Sequence, residues 1–417
     1  MTPTACGIDF GTSNSTMGLG AARGAALIAL EGEETTLPSA VFWEVDDPAP
    51  IFGRAAISAY ASGEEGRLLR GLKSTLGSSL ITERTAIGRR SVSFVEILGH
   101  YFGHLRARLD AVAPGVERAV LGRPVHFVDD DAEGDRAAQG ALEEIARGAG
   151  FTEIGFQYEP IAAALHYESG ISAEELVLIV DIGGGTSDFS VVRVGPERVT
   201  RADRAGDILA NDGIRVGGTD LDRLLSLAAA MPHLGLGSPI RGGKGDMPRH
   251  YYVDFATWHR INRLYAARAL SDLKALLREA DAPERVGRMV RAVEDRRGHA
   301  LAMAVEGVKV ALSDDEATRL ELKPLVGGPN PVVTRELFEE AVAAPLERIG
   351  ARIGTVLAQA GIGPDAIGTV FMTGGSSRLP ALRTLVAAHL PAARIATGDM
   401  LGSVGTGLAL EAGRRFA

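Results

Sequence analysis

Cysteine is almost missing: among 417 residues Cys6 stands alone, so the chain can form no internal disulfide and no cysteine-rich metal site. That usage agrees with a reducing compartment, and the cytoplasm is the expected location. No apolar run approaches the ~18–20 residues that a membrane-spanning helix needs. The opening residues place no basic stretch before an apolar one, so a secretory leader is not expected. An excess of positive charge is also lacking: 44 Lys and Arg against 53 Asp and Glu give a net charge of −9, which argues against nucleic acid or an anionic membrane as partner. Aromatic residues are sparse at 5%, and low-complexity linkers are absent. What abounds is glycine, 52 residues, well above the usual share of about 7%. The chain is long enough for several domains at roughly 100–200 residues each, and with 46% hydrophobic residues it can bury a large core.

The glycines fall in a repeated device. A strand candidate, Ala5 to Phe10, runs into Gly11-Thr12-Ser13-Asn14-Ser15 and then a second apolar segment, Thr16 to Leu19. Much later a strand candidate from Glu175 to Asp181 runs into Ile182-Gly183-Gly184-Gly185-Thr186-Ser187-Asp188, and Phe189 to Val194 returns. Asp9 and Asp181 stand 172 residues apart. That separation predicts two related lobes, because solenoid units recur every ~20–50 residues. Between the copies, Val95 to Leu109 and Asp135 to Ala149 carry helical spacing, whereas Ala119 to Val125 reads as a buried strand. Strands alternating with helices indicate an α/β fold. From 228 to 310 the character changes: a Gly/Pro-rich loop at 235–248 precedes charged helical stretches predicted over Trp258–Ala280 and Glu284–Leu312. A last strand, Ile367 to Thr373, ends in Gly374-Gly375-Ser376-Ser377-Arg378, and a helix is predicted from Pro380.

Glycines at a strand–turn–strand corner let amide N–H groups reach a ligand with no Cβ in the way, and neighbouring Thr and Ser hydroxyls add donors. Phosphate suits such a cradle best. No Walker A loop and no G-x-G-x-x-G fingerprint is present. A carboxylate beside a phosphate repels it unless a cation intervenes, so Asp9, Asp181 and Asp188 imply Mg²⁺, which commonly meets carboxylates through its waters. A third corner, Val216-Gly217-Gly218-Thr219-Asp220, precedes a helical run at Leu221–Ala230 and can aim amides at an anion. His100 and His104, four residues apart without a third ligand candidate, read as a packed helix face. The basic stretch Arg241 to His250, including Lys244, reads as a solvated loop, and Trp258 with Ile261 and Leu264 as core.

These blocks resemble the actin-like ATPase superfamily and, within it, the heat shock protein 70 (DnaK-type) family, most closely the truncated YegD-like subgroup. The two turns match its phosphate motifs, Thr373 to Pro380 its adenosine motif, and Tyr158 to Ala164 and Gly402 to Ala409 its connecting helices. The resemblance implies an α/β fold of two duplicated, ribonuclease H-like lobes with a nucleotide cleft between them. Lobe I would take residues 1–174 and 395–417, with a subdomain at about 39–114; lobe II would take 175–394, with a helical subdomain at about 229–310. It implies a slow, Mg²⁺-dependent ATPase acting as a chaperone-like switch, with ATP or ADP bound, and a monomer that meets an unidentified protein client or co-chaperone. Lys73, Glu159, Asp181 and Asp188 would be catalytic. Gly11, Thr12, Ser13, Asn14, Gly183, Gly184, Gly185, Thr186, Gly217, Gly218, Glu306, Lys309, Gly374, Gly375, Ser376, Arg378 and Asp399 would bind nucleotide. Asp9 and Asp181 would hold the metal through water. Pro124 looks like the family's relay proline, with Arg136 as its arginine partner. Two departures stand out: Thr219 replaces a glutamate, and Val310 replaces the arginine that stacks on adenine, which would weaken nucleotide binding. The chain also ends at Ala417 without the family's peptide-clamping sandwich. A small-molecule kinase of the same superfamily and a non-catalytic nucleotide-sensing scaffold or filament are the rival readings.

Overall fold

The computed structural model describes residues 4–416 apart from 22–23, 46, 48, 63, 89, 199–200, 202–203, 244 and 399–400. Two compact units result. One comprises Met1–Gly218, Ile349–Ser377 and Arg383–Ala417, and the other Thr219–Arg348 and Arg378–Leu382.

The first unit holds two mixed sheets built to one plan. In the first, β1 (Ala5–Phe10) pairs antiparallel with β2 (Asn14–Gly20); β3 (Ala25–Leu27) and β4 (Thr36–Pro38) both pair with β2; β5 (Arg118–Arg123) and β6 (Glu153–Tyr158) extend the other side in parallel, in the order β6-β5-β1-β2-β3. In the second, β7 (Glu175–Ile182) pairs antiparallel with β8 (Ser187–Val194), β9 (Ile208–Ile214) follows β8, and β10 (Thr369–Thr373) and β11 (Arg394–Thr397) run parallel on the far side of β7, in the order β9-β8-β7-β10-β11. The repeat read from Asp9 and Asp181 is therefore a repeat of topology. β7 buries every residue from Val177 to Ile182. Such a strand is apolar without alternation because both of its faces are covered.

Helices cover these sheets. Phe94–Val112 opens with a capping box between Ser93 and Glu96. It buries Tyr101 and Phe102 against Phe10, with ring centroids 5.6 and 5.3 Å apart. On the same helix His100 meets the Trp43 ring edge-on at 5.8 Å and His104 stacks on Phe52 at 4.4 Å, so both imidazoles pack on aromatics. Part of the glycine surplus lies where the last helix, Ser403–Arg415, meets β1, β2 and the helix Glu159–Glu168. A Cβ on Gly407 would enter the Ala162 carbonyl, one on Gly7 would strike the Ala409 nitrogen, and one on Gly20 the Ala409 carbonyl. These glycines serve close backbone packing, where even one added carbon overpacks the interface.

In the second unit each of the two helical stretches is broken. Residues 258–280 form a 3₁₀ segment, Trp258–Tyr265, and a helix, Ala267–Glu279, separated by the extended Ala266. Residues 284–312 form Pro283–Glu294 and Gly298–Ala311, with Arg296 left-handed at φ +52° between them. Packing makes the second break. At Gly298 a Cβ would run into Ile261 and lie 2.9 Å from the Tyr265 hydroxyl, so the chain turns there hard against the 3₁₀ segment. Trp258 packs edge-on against His299 at 4.7 Å, beside the buried Ile261 and Leu264. No described helix is long and apolar enough to cross a membrane. Lys244 of the basic loop lies outside the described residues.

Candidate functional site

Five ionisable side chains meet inside the first unit. Gly71, left-handed at φ +66°, starts a 3₁₀ turn over Leu72–Thr75 that buries the Lys73 side chain. The Lys73 ammonium donates to Glu159 Oε1. Glu159 opens the helix Glu159–Glu168, where Pro160 suits the first turn. Asp9 lies near the end of β1, across from Thr16. Asp181 and Asp188 face each other across the β7–β8 hairpin, a register in which two carboxylates can share one ligand. Asp188 Oδ1 accepts the Val125 N–H at 2.7 Å, which ties the second hairpin to the segment after β5.

Burial governs the electrostatics. It pushes the Asp9 carboxyl up to about 7, aided by the charge of Glu159 and opposed by Lys73. It does the same to Asp188, up to about 7, again with Glu159 adding to it and with hydrogen bonds from Thr186 and Val125 working the other way. Asp181 is raised well above the carboxylate range by burial, with Glu159, Asp188 and Asp9 adding. Burial also opposes the charge on Lys73, but Glu159, Asp9 and Asp188 together outweigh it and hold the ammonium above the ordinary lysine value. One cation thus serves four carboxylates, and a divalent cation would relieve the remainder. Among the described residues no three His, Cys, Asp or Glu side chains converge to hold a metal directly. Asp9 and Asp181 fit a hydrated ion held through its waters.

The glycine corners adjoin this cluster. A Cβ on Gly184 would strike Ser13 Oγ, one on Gly185 would lie 2.9 Å from Thr12 Oγ1, and one on Gly217 would lie 2.6 Å from the backbone of Gly184 and Gly185. The three corners therefore come together through backbone and hydroxyls, with Gly11 and Asn14 in the first turn. Gly183 N–H donates to Thr186 O at 3.0 Å, and Gly218 N–H donates to Gly183 O at 2.9 Å. Gly374, at φ +82°, presses on Ile182 O and sits beside Asp181; Gly375 and Ser376 follow in a 3₁₀ turn. The second unit carries Glu306 and Lys309 on the helix Gly298–Ala311, where the Lys309 ammonium reaches Asp222 Oδ1 at 2.8 Å. Val310 is 56% exposed there. Arg378 is half exposed and pairs with Asp314 at 3.1 Å. Asp399 lies outside the described residues.

The guanidinium beside Pro124 is that of Arg123, not of Arg136. Arg123 donates to Pro124 O at 3.0 Å and to Val125 O at 3.1 Å, and pairs with Asp135 at 2.5 Å, whereas Arg136 is exposed. No spacing marked Arg123, because an arginine closing a buried strand reads as a strand end.

Comparison with known proteins follows the same lines. Residues 289–413 match the family model described as Hsp70 protein, and residues 124–226 match that of MreB/Mbl protein. A relative named "Chaperone protein HscA homolog" from Azotobacter vinelandii is 29% identical over 430 aligned positions, covering 98% of this chain and 57% of the relative. One of the same name from Cupriavidus taiwanensis is 26% identical over 402 positions, covering 92% and 53%. The chain thus spans little more than half the length of these relatives. The matched models and these relatives lead to one conclusion: the chain is similar in sequence to Hsp70 proteins and, over residues 124–226, to the actin-like MreB/Mbl proteins, in keeping with its α/β fold of mixed sheets flanked by helices.

Proposed function

We propose that the chain binds ATP and hydrolyses it slowly, acting as a chaperone-like switch for a protein client. The buried Lys73–Glu159 pair among three carboxylates, beside two touching glycine corners, is the observation that carries this reading. In it the β- and γ-phosphates lie between the first and second corners, and Thr12, Ser13 and Thr186 donate to the γ-phosphate. Mg²⁺, held through water by Asp9 and Asp181, would supply charge neutralisation. Lys73, Glu159 and Asp188 position and polarise the attacking water, since phosphoryl transfer needs placement and charge stabilisation more than covalent help. Glu306, Lys309 and Arg378 contact the nucleoside, and residues 1–174 with 395–417 act against 175–394 as the two lobes. Loss of the γ-phosphate contacts then shifts a closed–open equilibrium that a partner senses. Single-turnover hydrolysis of labelled ATP with Mg²⁺ tests the proposal. Label should appear as inorganic phosphate at a rate indifferent to added sugars or carboxylic acids. Label transferred to an acceptor, or none released, would overturn it.

The nucleoside side yields its own expectation. Val310 is exposed and its neighbour Gly307 faces open space, so an arginine fits at 310 without a clash. Val310→Arg should tighten ADP binding by about 0.5–2 kcal/mol, a few-fold to roughly thirty-fold. Titration calorimetry with ADP reads this directly; equal affinities would remove Val310 from the nucleoside site.

A further inference from the structure

Three chemistry-bearing segments of the first unit converge on Arg215, the residue between β9 and the third glycine corner. Both oxygens of the Asp129 carboxylate accept its backbone N–H, at 3.0 and 3.1 Å. Asp129 lies on the segment that follows Pro124 and Val125, whose N–H holds Asp188. The Arg215 guanidinium crosses to the lysine turn, donating to Gly77 O at 2.9 Å and Ser74 O at 3.4 Å. Contact there is close: a Cβ on Gly77 would lie 2.5 Å from Phe127 O and 3.2 Å from the Arg215 guanidinium. Two residues beyond Arg215, Gly217 abuts Gly184 and Gly185 of the second phosphate turn.

We propose that Arg215 is a positioning residue, tying the carbonyl end of the Lys73 turn to the third glycine corner so that phosphate contacts at the corners place the Lys73–Glu159 pair. This rests on the ATPase reading. Besides the Lys73–Glu159 pair and the buried side chains of Leu72 and Leu76, the backbone of the turn is held by its own short bonds, Ser74 N–H to Gly71 O, Leu76 N–H to Lys73 O and Ser78 N–H to Thr75 O, each 3.1 Å. A short 3₁₀ turn is a weak backbone element, and a displaced lysine loses rate steeply because catalytic placement tolerates well under an ångström. A guanidinium is suited to the task since its rigid fork can serve two carbonyls, whereas an ammonium serves one at a time.

The test uses the full chain with Arg215→Met and Arg215→Lys, reading Mg-ATP affinity, single-turnover phosphate release, and amide hydrogen exchange with no nucleotide. For Arg215→Met the expected result is affinity within about threefold of wild type, release slowed roughly tenfold, and faster exchange confined to Ser74, Leu76 and Ser78. Arg215→Lys should recover part of both the rate and the protection. Unchanged exchange and rate in Arg215→Met would overturn the proposal, as would loss of affinity together with exchange raised throughout the unit, which marks a merely structural role. If wild type releases no phosphate, the ATPase reading fails by itself, while exchange in the lysine turn still decides whether Arg215 holds it.

Discussion

Replacing Lys73 with alanine should slow single-turnover ATP hydrolysis by about 10²–10⁴-fold, the range that a positioned proton-transfer or water-orienting group supplies, while ATP still binds. The asymmetry follows from placement. On the proposed reading phosphate is gripped by backbone and hydroxyls of the glycine corners, which meet one another without the lysine. Lys73 instead holds Glu159 and is the cation that offsets Asp9 and Asp188. Without it Glu159 keeps a buried charge with no counter-ion, and breaking a buried pair from one side costs about 3–5 kcal/mol. The nucleotide-free variant should therefore unfold at lower urea. Glu159→Gln separates the two effects, for it removes the charge of Glu159 and keeps the shape: hydrolysis should fall comparably while stability suffers less. Hydrolysis by Lys73→Ala at the wild-type rate would sink the assignment of Lys73.

The cluster was legible in the sequence because its members sit in local patterns. Asp9 and Asp181 end strands before glycine turns, and a strand–turn–strand device that occurs twice is visible without coordinates. Only the family resemblance singles out Lys73; by composition it is one more lysine, and the left-handed Gly71 and the turn it starts bury it. Arg123 and Arg215 lay beyond reach for another reason. Arg123 meets Asp135 of the following helix, and Arg215 reaches across 138 residues to Gly77, contacts with no periodicity to betray them. The helical breaks at Ala266 and Arg296 were hidden likewise. Apolar spacing continues through both, and what turns the chain at Gly298 is crowding by Ile261 and Tyr265 from another segment. Glycines such as Gly7 and Gly407 were invisible as a packing device since a glycine that admits a neighbouring backbone looks like one that makes a turn.

Without nucleotide, the chain should lose stability as pH rises from about 4 to 7, with Asp181, raised as well, adding in the same direction. Asp9 and Asp188 titrate near 3.8 when unfolded and about 7 in the fold. Between those values the native state holds more protons than the unfolded one, so unfolding free energy falls with rising pH. Lys73, raised above 10.5, adds stability that is lost only above that pH and leaves this window untouched. From pH 5 to pH 8 these two carboxyls should lower stability by roughly 5 kcal/mol, about two pH units each at ~1.4 kcal/mol per unit, read from urea midpoints; stability that rises across the interval would contradict the buried cluster. Asp181→Asn removes one of the desolvated charges and should stabilise the nucleotide-free chain near neutral pH while depressing hydrolysis, opposite signs from one substitution. Binding must then reverse the protonation. A cation and phosphates favour the ionised carboxylates, so Mg-ATP binding near pH 6.5 should release more protons than binding near pH 8.5, where Asp9 and Asp188 are already ionised, measurable by calorimetry in buffers of different ionisation enthalpy. On the proposed reading, the burial that makes these carboxylates prefer protons would also suit them to a cation-bearing nucleotide, which would bring positive charge beyond that of Lys73.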